Sequence, residues 1–156
     1  MANCYGNTRT NYFKVTDEKK FEQIINSVAC CEDTLEVWSK TVDGTKEYAF
    51  GTNDSIQGIC ECEHCEAVEK NEVKYDADLC EGLYNYDKMC ELLQSVVHPE
   101  DAIIIVETAH EKLRYVGASS TVITSKEIKY IDLWQESMEA VKNMLDKKEY
   151  TPVYTY

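Results

Sequence analysis

The sequence predicts a single α+β domain over residues 1–156, with a mostly antiparallel sheet and about three helices packed on it. The chain has 156 residues and 44% of them are apolar, which is enough for one buried core. Apolar residues recur at helical spacing in three segments and at strand spacing in several others. The predicted order is β-α-β-β-α-β-β-β-α. Strands that follow one another directly favour antiparallel pairing.

The first half of the chain is predicted to hold a strand, a helix and a hairpin. Phe21, Ile24 and Ile25 share one face of the helix, and Asp43-Gly44 supplies the hairpin turn. These elements are a strand over 12–15, a helix over 18–28 capped by Thr16 or Asp17, and hairpin strands over 35–38 and 48–50.

The middle of the chain is predicted to be a long acidic loop followed by a second helix. The loop, at about 51–74, contains a group of cysteines and little apolar periodicity. The helix begins near Asp76 or Asp78 and ends before Pro99. Its buried stripe comprises Leu79, Leu83, Tyr86, Cys90, Leu93 and Val97.

The last third is predicted to contain three strands, a helix and a tyrosine-rich tail. The strands lie over 102–107, 113–123 and 128–133. A helix capped by Asp132 or Ser137 follows, with Trp134, Met138, Val141 and Leu145 on one face. The tail over 149–156 is predicted to pair as an edge strand and is the candidate surface for a homodimer.

The charge of the chain is large and unevenly placed. The formal net charge is −13, and residues 54–101 contain thirteen acidic and only three basic residues. Such a surface repels nucleic acid and anionic membranes and attracts basic grooves of proteins. We therefore expect no direct binding to nucleic acid or membrane. The candidate partner-binding residues are Glu61, Glu63, Glu66, Glu69, Glu72, Asp78, Glu81, Asp87 and Glu91.

The expected location is the cytoplasm. The chain opens without the basic start and apolar stretch of a signal peptide, and no apolar run approaches the ~18 residues that a membrane span needs. Its eight cysteines are then expected to be reduced rather than to form a disulfide framework.

One short segment, 60–65, contains residues that bind metals. Its thiols and imidazole are zinc-type ligands, and a tetrahedral shell needs four of them. Cys60 or Cys62, together with Cys65 and His64, could supply three ligands, and Cys80, Cys30 or Cys31 could complete the shell. The only CxxC spacing is that of Cys62 and Cys65, so a reduced loop facing solvent is the alternative interpretation. A structural zinc is the one cofactor that the sequence suggests.

No pattern of an enzyme accompanies these features. The chain lacks HxE with PCxxC, HExxH, GxSxG and both glycine-rich phosphate loops. We therefore expect a protein without catalytic activity. A site assembled from scattered residues such as Glu107, His110 and Arg114 stays open, although no motif supports it.

Two segments resemble a known group of proteins. The sequence from Arg9 to Glu18, RTNYFKVTDE, resembles the start of small uncharacterised acidic proteins of Firmicutes phages and mobile elements. EKLRYV over 111–116, VITS over 122–125 and YIDL over 130–133 are similar to the C-terminal half of the same group. The resemblance implies a mobile element in a bacterial cytoplasm. Small acidic proteins of that setting often resemble anti-CRISPR and anti-restriction inhibitors.

Two functional hypotheses follow. In the first, the protein binds and inhibits a host nuclease or another DNA- or RNA-binding protein, and its carboxylates imitate the phosphates of DNA. In the second, the protein is a zinc-stabilised adaptor in which the cysteine group organises the central loop for a protein partner.

Overall fold

Nine strands and four α-helices make up the part of the chain that the computed structural model describes, residues 5–111 and 115–149. The strands are β1 Tyr5–Thr10, β2 Val28–Cys30, β3 Glu36–Val42, β4 Thr45–Thr52, β5 Ile56–Cys60, β6 Tyr84–Asn85, β7 Ile103–Glu111, β8 Tyr115–Ile123 and β9 Ile128–Asp132. The helices are α1 Glu18–Asn26, α2 Glu63–Glu69, α3 Tyr86–Gln94 and α4 Leu133–Met144, with a short 3-10 helix at Ala77–Leu79.

Six strands form one antiparallel sheet in the order β3-β4-β1-β7-β8-β9. The strands β2, β5 and β6 form a second, smaller antiparallel sheet. The predicted α+β class and the mostly antiparallel sheet are therefore confirmed. The described residues contain one more α-helix than the sequence indicated.

The core lies between one face of the large sheet and the helices α1 and α3. The rings of Phe13 and Phe21 meet edge to face, with centroids 5.6 Å apart. Helix α3 buries Met89, Cys90 and Leu93 with no exposed area. Both helices present apolar residues three or four positions apart, so each buries a single stripe against the sheet.

The start of the chain differs from the prediction. The first strand is β1, and the segment predicted as a strand over 12–15 makes only two isolated bridges, Phe13 to Tyr48 and Val15 to Val97. Strand β1 has polar side chains at most positions, so apolar alternation could not reveal it. Its register is set by β4 and β7 on either side. Helix α1 is capped by Asp17 and ends at Asn26, because β2 begins at Val28.

The segment predicted as a loop, 51–74, holds two complete elements and the end of a third. It contains the end of β4, all of β5 and helix α2. Strand β5 is apolar and short, and Gly58 interrupts its side-chain pattern. Helix α2 buries none of its side chains, so it has no apolar stripe for sequence reasoning to detect.

The second predicted helix begins later than expected. Helix α3 starts at Tyr86 because Asn85 caps it: the Asn85 side chain accepts from the Lys88 backbone N–H at 3.1 Å. The preceding segment contains Gly82 in a left-handed conformation with φ +66°, which a helix does not accommodate. Leu79 and Leu83, predicted on the buried stripe, are 58% and 54% exposed.

The last third largely follows the prediction. Strands β7, β8 and β9 occupy the three predicted positions, and Asp132 rather than Ser137 caps helix α4. The predicted edge strand over 149–156, with its homodimer surface, falls almost wholly on residues 150–156, outside the described residues. The helices within the described ranges are too short and too polar to cross a lipid bilayer.

Candidate metal centre

Four cysteine side chains converge on one point. The Sγ atoms of Cys60, Cys62, Cys65 and Cys80 all lie within 4.8 Å of one another. Cys80 Sγ is 3.6 Å from Cys65 Sγ and 3.7 Å from Cys60 Sγ. A tetrahedral zinc with Zn–S bonds of about 2.3 Å separates its sulfurs by about 3.8 Å. A disulfide would need about 2.05 Å. The spacing therefore fits a single ion held by four thiolates.

The four cysteines come from three local structures. Cys60 ends β5 and pairs with Tyr84 of β6. Cys62 caps α2, and its Sγ accepts a hydrogen bond from the Cys65 backbone N–H at 3.4 Å. Cys80 follows the 3-10 helix directly. The group therefore joins the end of a strand, the start of a helix and a distant turn.

Backbone amides stabilise negative charge on two of the sulfurs. The N–H groups of Glu81 and Cys65 point at Cys62 Sγ and lower the pKa of this thiol to about 6. The Gly82 N–H likewise lowers the pKa of the Cys80 thiol. Burial raises the pKa of Cys60 and of Cys65. A divalent cation would favour the thiolate form of all four, because its charge outweighs both burial and mutual repulsion.

His64, predicted among the metal ligands, lies outside this group. Its Nε2 accepts a hydrogen bond from the Asp76 backbone N–H at 2.9 Å, and its ring lies 6.0 Å from that of Tyr75. The imidazole thus ties α2 to the segment that leads to Cys80. Three cysteines were considered as the fourth ligand. Cys80 lies in the group, whereas Cys30 and Cys31 lie at β2, outside it.

The segment around the cysteines has almost no apolar core. We call residues 61–83 the cysteine lobe. Cys62, which is 2% exposed, is its only buried residue. Neither α2 nor the 3-10 helix at Ala77–Leu79 buries a side chain. One backbone hydrogen bond, from Glu61 N–H to Leu83 O at 2.8 Å, closes its base. A segment of this kind needs a cross-link or a metal to hold a fixed structure.

All nine predicted partner-binding acids are exposed. Three make polar contacts: Glu61 accepts from the Asn85 amide at 3.1 Å, Glu69 lies 3.9 Å from Lys88 Nζ, and Asp87 accepts from the Tyr130 hydroxyl at 2.7 Å. Two of the nine, Asp87 and Glu91, lie on α3. Seven share the cysteine lobe: Glu61, Glu63, Glu66, Glu69, Glu72, Asp78 and Glu81.

Of the residues considered for an enzyme, the two within the described ranges, Glu107 and His110, are not brought together. Glu107 and His110 lie three positions apart on β7, so the pleat places them on opposite faces of the sheet. His110 contacts the ring of Tyr5 at 5.8 Å between centroids. Arg114 lies outside the described residues.

Sequence reasoning did not predict the backbone N–H groups that donate to the cysteine sulfurs. The amides of Glu81 and Gly82 point at sulfur atoms, and Gly82 adopts its left-handed conformation at this turn. A glycine two residues after a candidate ligand was the available signal, since a left-handed turn brings successive N–H groups to one side.

Family models, curated proteins and solved structures yielded no match to this chain.

Proposed function

We propose that the protein is a zinc-stabilised interaction module. Cys60, Cys62, Cys65 and Cys80 bind one Zn²⁺, and the ion holds the cysteine lobe in the shape that meets a protein partner. The observation behind this proposal is the convergence of four Sγ atoms within 4.8 Å.

The donor set favours a structural zinc. Four thiolates at tetrahedral spacing select zinc or a single iron among the common metals. An iron–sulfur cluster would hold its cysteines further apart, because several irons and sulfides lie between them. Four protein ligands also leave no open position for a water or a substrate, and this distinguishes structural from catalytic zinc sites.

The acidic surface indicates the kind of partner. Eight exposed carboxylates lie on the cysteine lobe, and a zinc with four thiolates adds two further negative charges. Lys88, paired with Glu69 at 3.9 Å, is a nearby cation that offsets part of this charge. A basic protein surface would therefore be drawn to this lobe, faster at low salt than at high salt.

The metal content tests the first half of the proposal. Native mass spectrometry of protein refolded with zinc should show one ion per chain. Cys60→Ser and Cys80→Ser should each abolish stoichiometric zinc, since three thiolates leave the shell incomplete. Cys31→Ser is the matched control, because Cys31 is exposed and outside the group. Wild-type protein that binds no zinc, or binds it equally in all variants, would refute the metal centre.

A second candidate concerns the identity of the partner, and the exposure of all nine predicted acids favours it. In this candidate the carboxylates imitate DNA phosphates and occupy the groove of a nuclease or other nucleic-acid-binding protein of a bacterial host. Lysine and arginine side chains of the partner would gain charge-assisted contacts without reading any base. The resemblance of the sequence to phage and mobile-element proteins supports this setting, a bacterial cytoplasm.

Charge reversal distinguishes DNA mimicry by these acids from a general attraction of basic proteins to an acidic surface. The triple change Glu63→Lys, Glu66→Lys and Glu81→Lys should abolish capture of the partner from a host lysate. The same number of reversals at Glu22, Glu36 and Glu127 gives equal net charge and should leave capture intact. Partner displaced by duplex DNA would support mimicry. Partner retained in the presence of DNA and high salt would contradict it.

A further inference from the structure

The core-facing side of the large sheet changes from apolar to polar along three adjacent strands. On β7, Ile103 and Ile105 are buried, and the next residue on the same face is Glu107. Their partners on β8 change in the same direction, from Ile123 through Thr121 to Ser119. Strand β9 repeats the change, since Ile128, Tyr130 and Asp132 pair with these three β8 residues.

The polar end of this face is open to solvent: Ser119, Tyr130 and Asp132 are exposed, and Glu107 is partly buried. The sheet therefore offers its polar side chains to a ligand at this end. Here the polar positions line a groove of about 420 Å³, between the sheet, the start of α3 and the start of α4. The volume is within the range of ligand sites.

The charged side chains that line the groove are all negative. Its ten described lining residues include two carboxylates, Glu107 and Asp132, and no lysine, arginine or histidine. The Ser55 hydroxyl donates to Glu107 Oε1 at 2.8 Å, and the Gln135 backbone N–H donates to Asp132 Oδ1 at 2.9 Å. Both carboxylates are thus held in position. The groove therefore selects against anions and favours a cation.

Two tyrosines form an aromatic wall. The rings of Tyr86 and Tyr130 lie 6.5 Å apart between centroids, at an angle of 50°. The Tyr86 hydroxyl shares a hydrogen bond with Thr121 Oγ1 at 2.8 Å, and the Tyr130 hydroxyl donates to Asp87 at 2.7 Å. With both hydroxyl groups engaged, the ring faces are the remaining binding surface, and such faces attract cations.

The carboxylates stand on either side of one residue. Ser119 pairs with Glu107 on one strand and with Asp132 on the other. Two strand spacings, about 9.5 Å, therefore separate the Cα atoms of the two acids. This leaves room between their side chains for a planar group that donates in two directions.

We infer that this groove binds an arginine side chain of the protein partner, with the guanidinium against the tyrosine wall and its N–H groups donating to Glu107 and Asp132. Arginine fits better than lysine, because its planar fork can donate to two carboxylates and also stack on an aromatic ring. The inference rests on the proposed function in one respect, that the partner is a basic protein.

Nuclear magnetic resonance titration with a capped Gly-Arg-Gly peptide tests the inference. The zinc-loaded protein should show saturable shifts at Ser119, Tyr130 and Asp132. The same peptide with citrulline in place of arginine is the neutral control and should bind at least about tenfold more weakly. Glu107→Gln and Asp132→Asn keep the shape of each side chain, and Asn still caps a helix. Each should weaken the arginine peptide about tenfold or more, whereas Glu127→Gln outside the groove should not.

Three results would overturn the inference: equal binding of the citrulline peptide, unchanged binding by Glu107→Gln, or saturable binding of spermidine without binding of the peptide. The last would assign the groove to a free polyamine instead of a polypeptide. Zinc content measured on the same samples separates this test from that of the metal centre. Zinc-loaded protein that fails to bind the peptide would refute the groove alone.

Discussion

At the scale of single residues, the position of each cysteine decides its chemistry. Cys90 lies on α3 with no exposed area, and burial raises the pKa of its thiol to about 11. Cys62 lies on the cysteine lobe, where backbone N–H groups lower its pKa to about 6. The first thiol behaves as a small apolar side chain, whereas the second is suited to bind a cation.

The raised pKa of Cys90 predicts a loss of stability in alkaline solution. The ordinary thiol value of 9.0 applies to the unfolded chain, so the native state keeps this proton more tightly. The resulting stabilisation is complete below pH 9 and declines as the pH rises toward 11. Cys90→Ala should reduce the decline between pH 9 and 10 while lowering stability at pH 7 through a small cavity. Urea unfolding at each pH measures this. An equal decline in both proteins would contradict the assignment.

Residue identity alone predicted most of the candidate metal centre. Cys60, Cys62, Cys65 and Cys80 stood among its candidate ligands because their type suits zinc. His64 was wrongly included among the ligands. Its Nε2 accepts a hydrogen bond from the backbone N–H of Asp76, twelve residues further along. A contact over that distance depends on the path of the chain through the lobe, which no local pattern reveals.

At the scale of elements, agreement with the prediction followed the strength of the local signal. The hairpin β3–β4 and the strands β7 to β9 have clear alternation or a turn at Asp43-Gly44, and they formed where expected. Helix α2 was missed because it buries no side chain. The predicted stripe over α3 extended too far toward its N-terminus, because apolar spacing cannot show that Asn85 caps the helix.

Gly58 positions β5 against the start of α3, and this predicts an unequal effect of two alanine substitutions. Gly58 has φ +111°, and a Cβ there would lie 2.3 Å from the Asn85 carbonyl oxygen. Gly44 also has positive φ, but its surroundings are open. Gly58→Ala should therefore lower the free energy of unfolding by at least about 2 kcal/mol, and Gly44→Ala by about 1 kcal/mol. Chemical denaturation compares them. Equal effects would show that β5 can move away from α3.

At the scale of the whole molecule, two parts are stabilised by different means. The sheet with α1 and α3 has an apolar core that includes Phe13, Phe21 and Leu93. The cysteine lobe has one buried residue, a thiol, and exposes seven of the nine predicted partner-binding acids. The first part should fold by burying apolar surface, and the second by binding a metal. The same ion would then fix the surface that meets the partner.

Hydrogen exchange with and without zinc tests this division most directly. The account predicts that chelation increases exchange at lobe amides such as those of Cys65 and Gly82, both of which donate to cysteine sulfurs. Amides in β1 and β7 should keep their protection, because the apolar core does not depend on the ion. Cys80→Ser should behave as the chelated protein, and Cys31→Ser as the zinc-loaded one. Equal protection of the lobe with and without zinc would contradict the account, because the lobe would then be ordered without the metal.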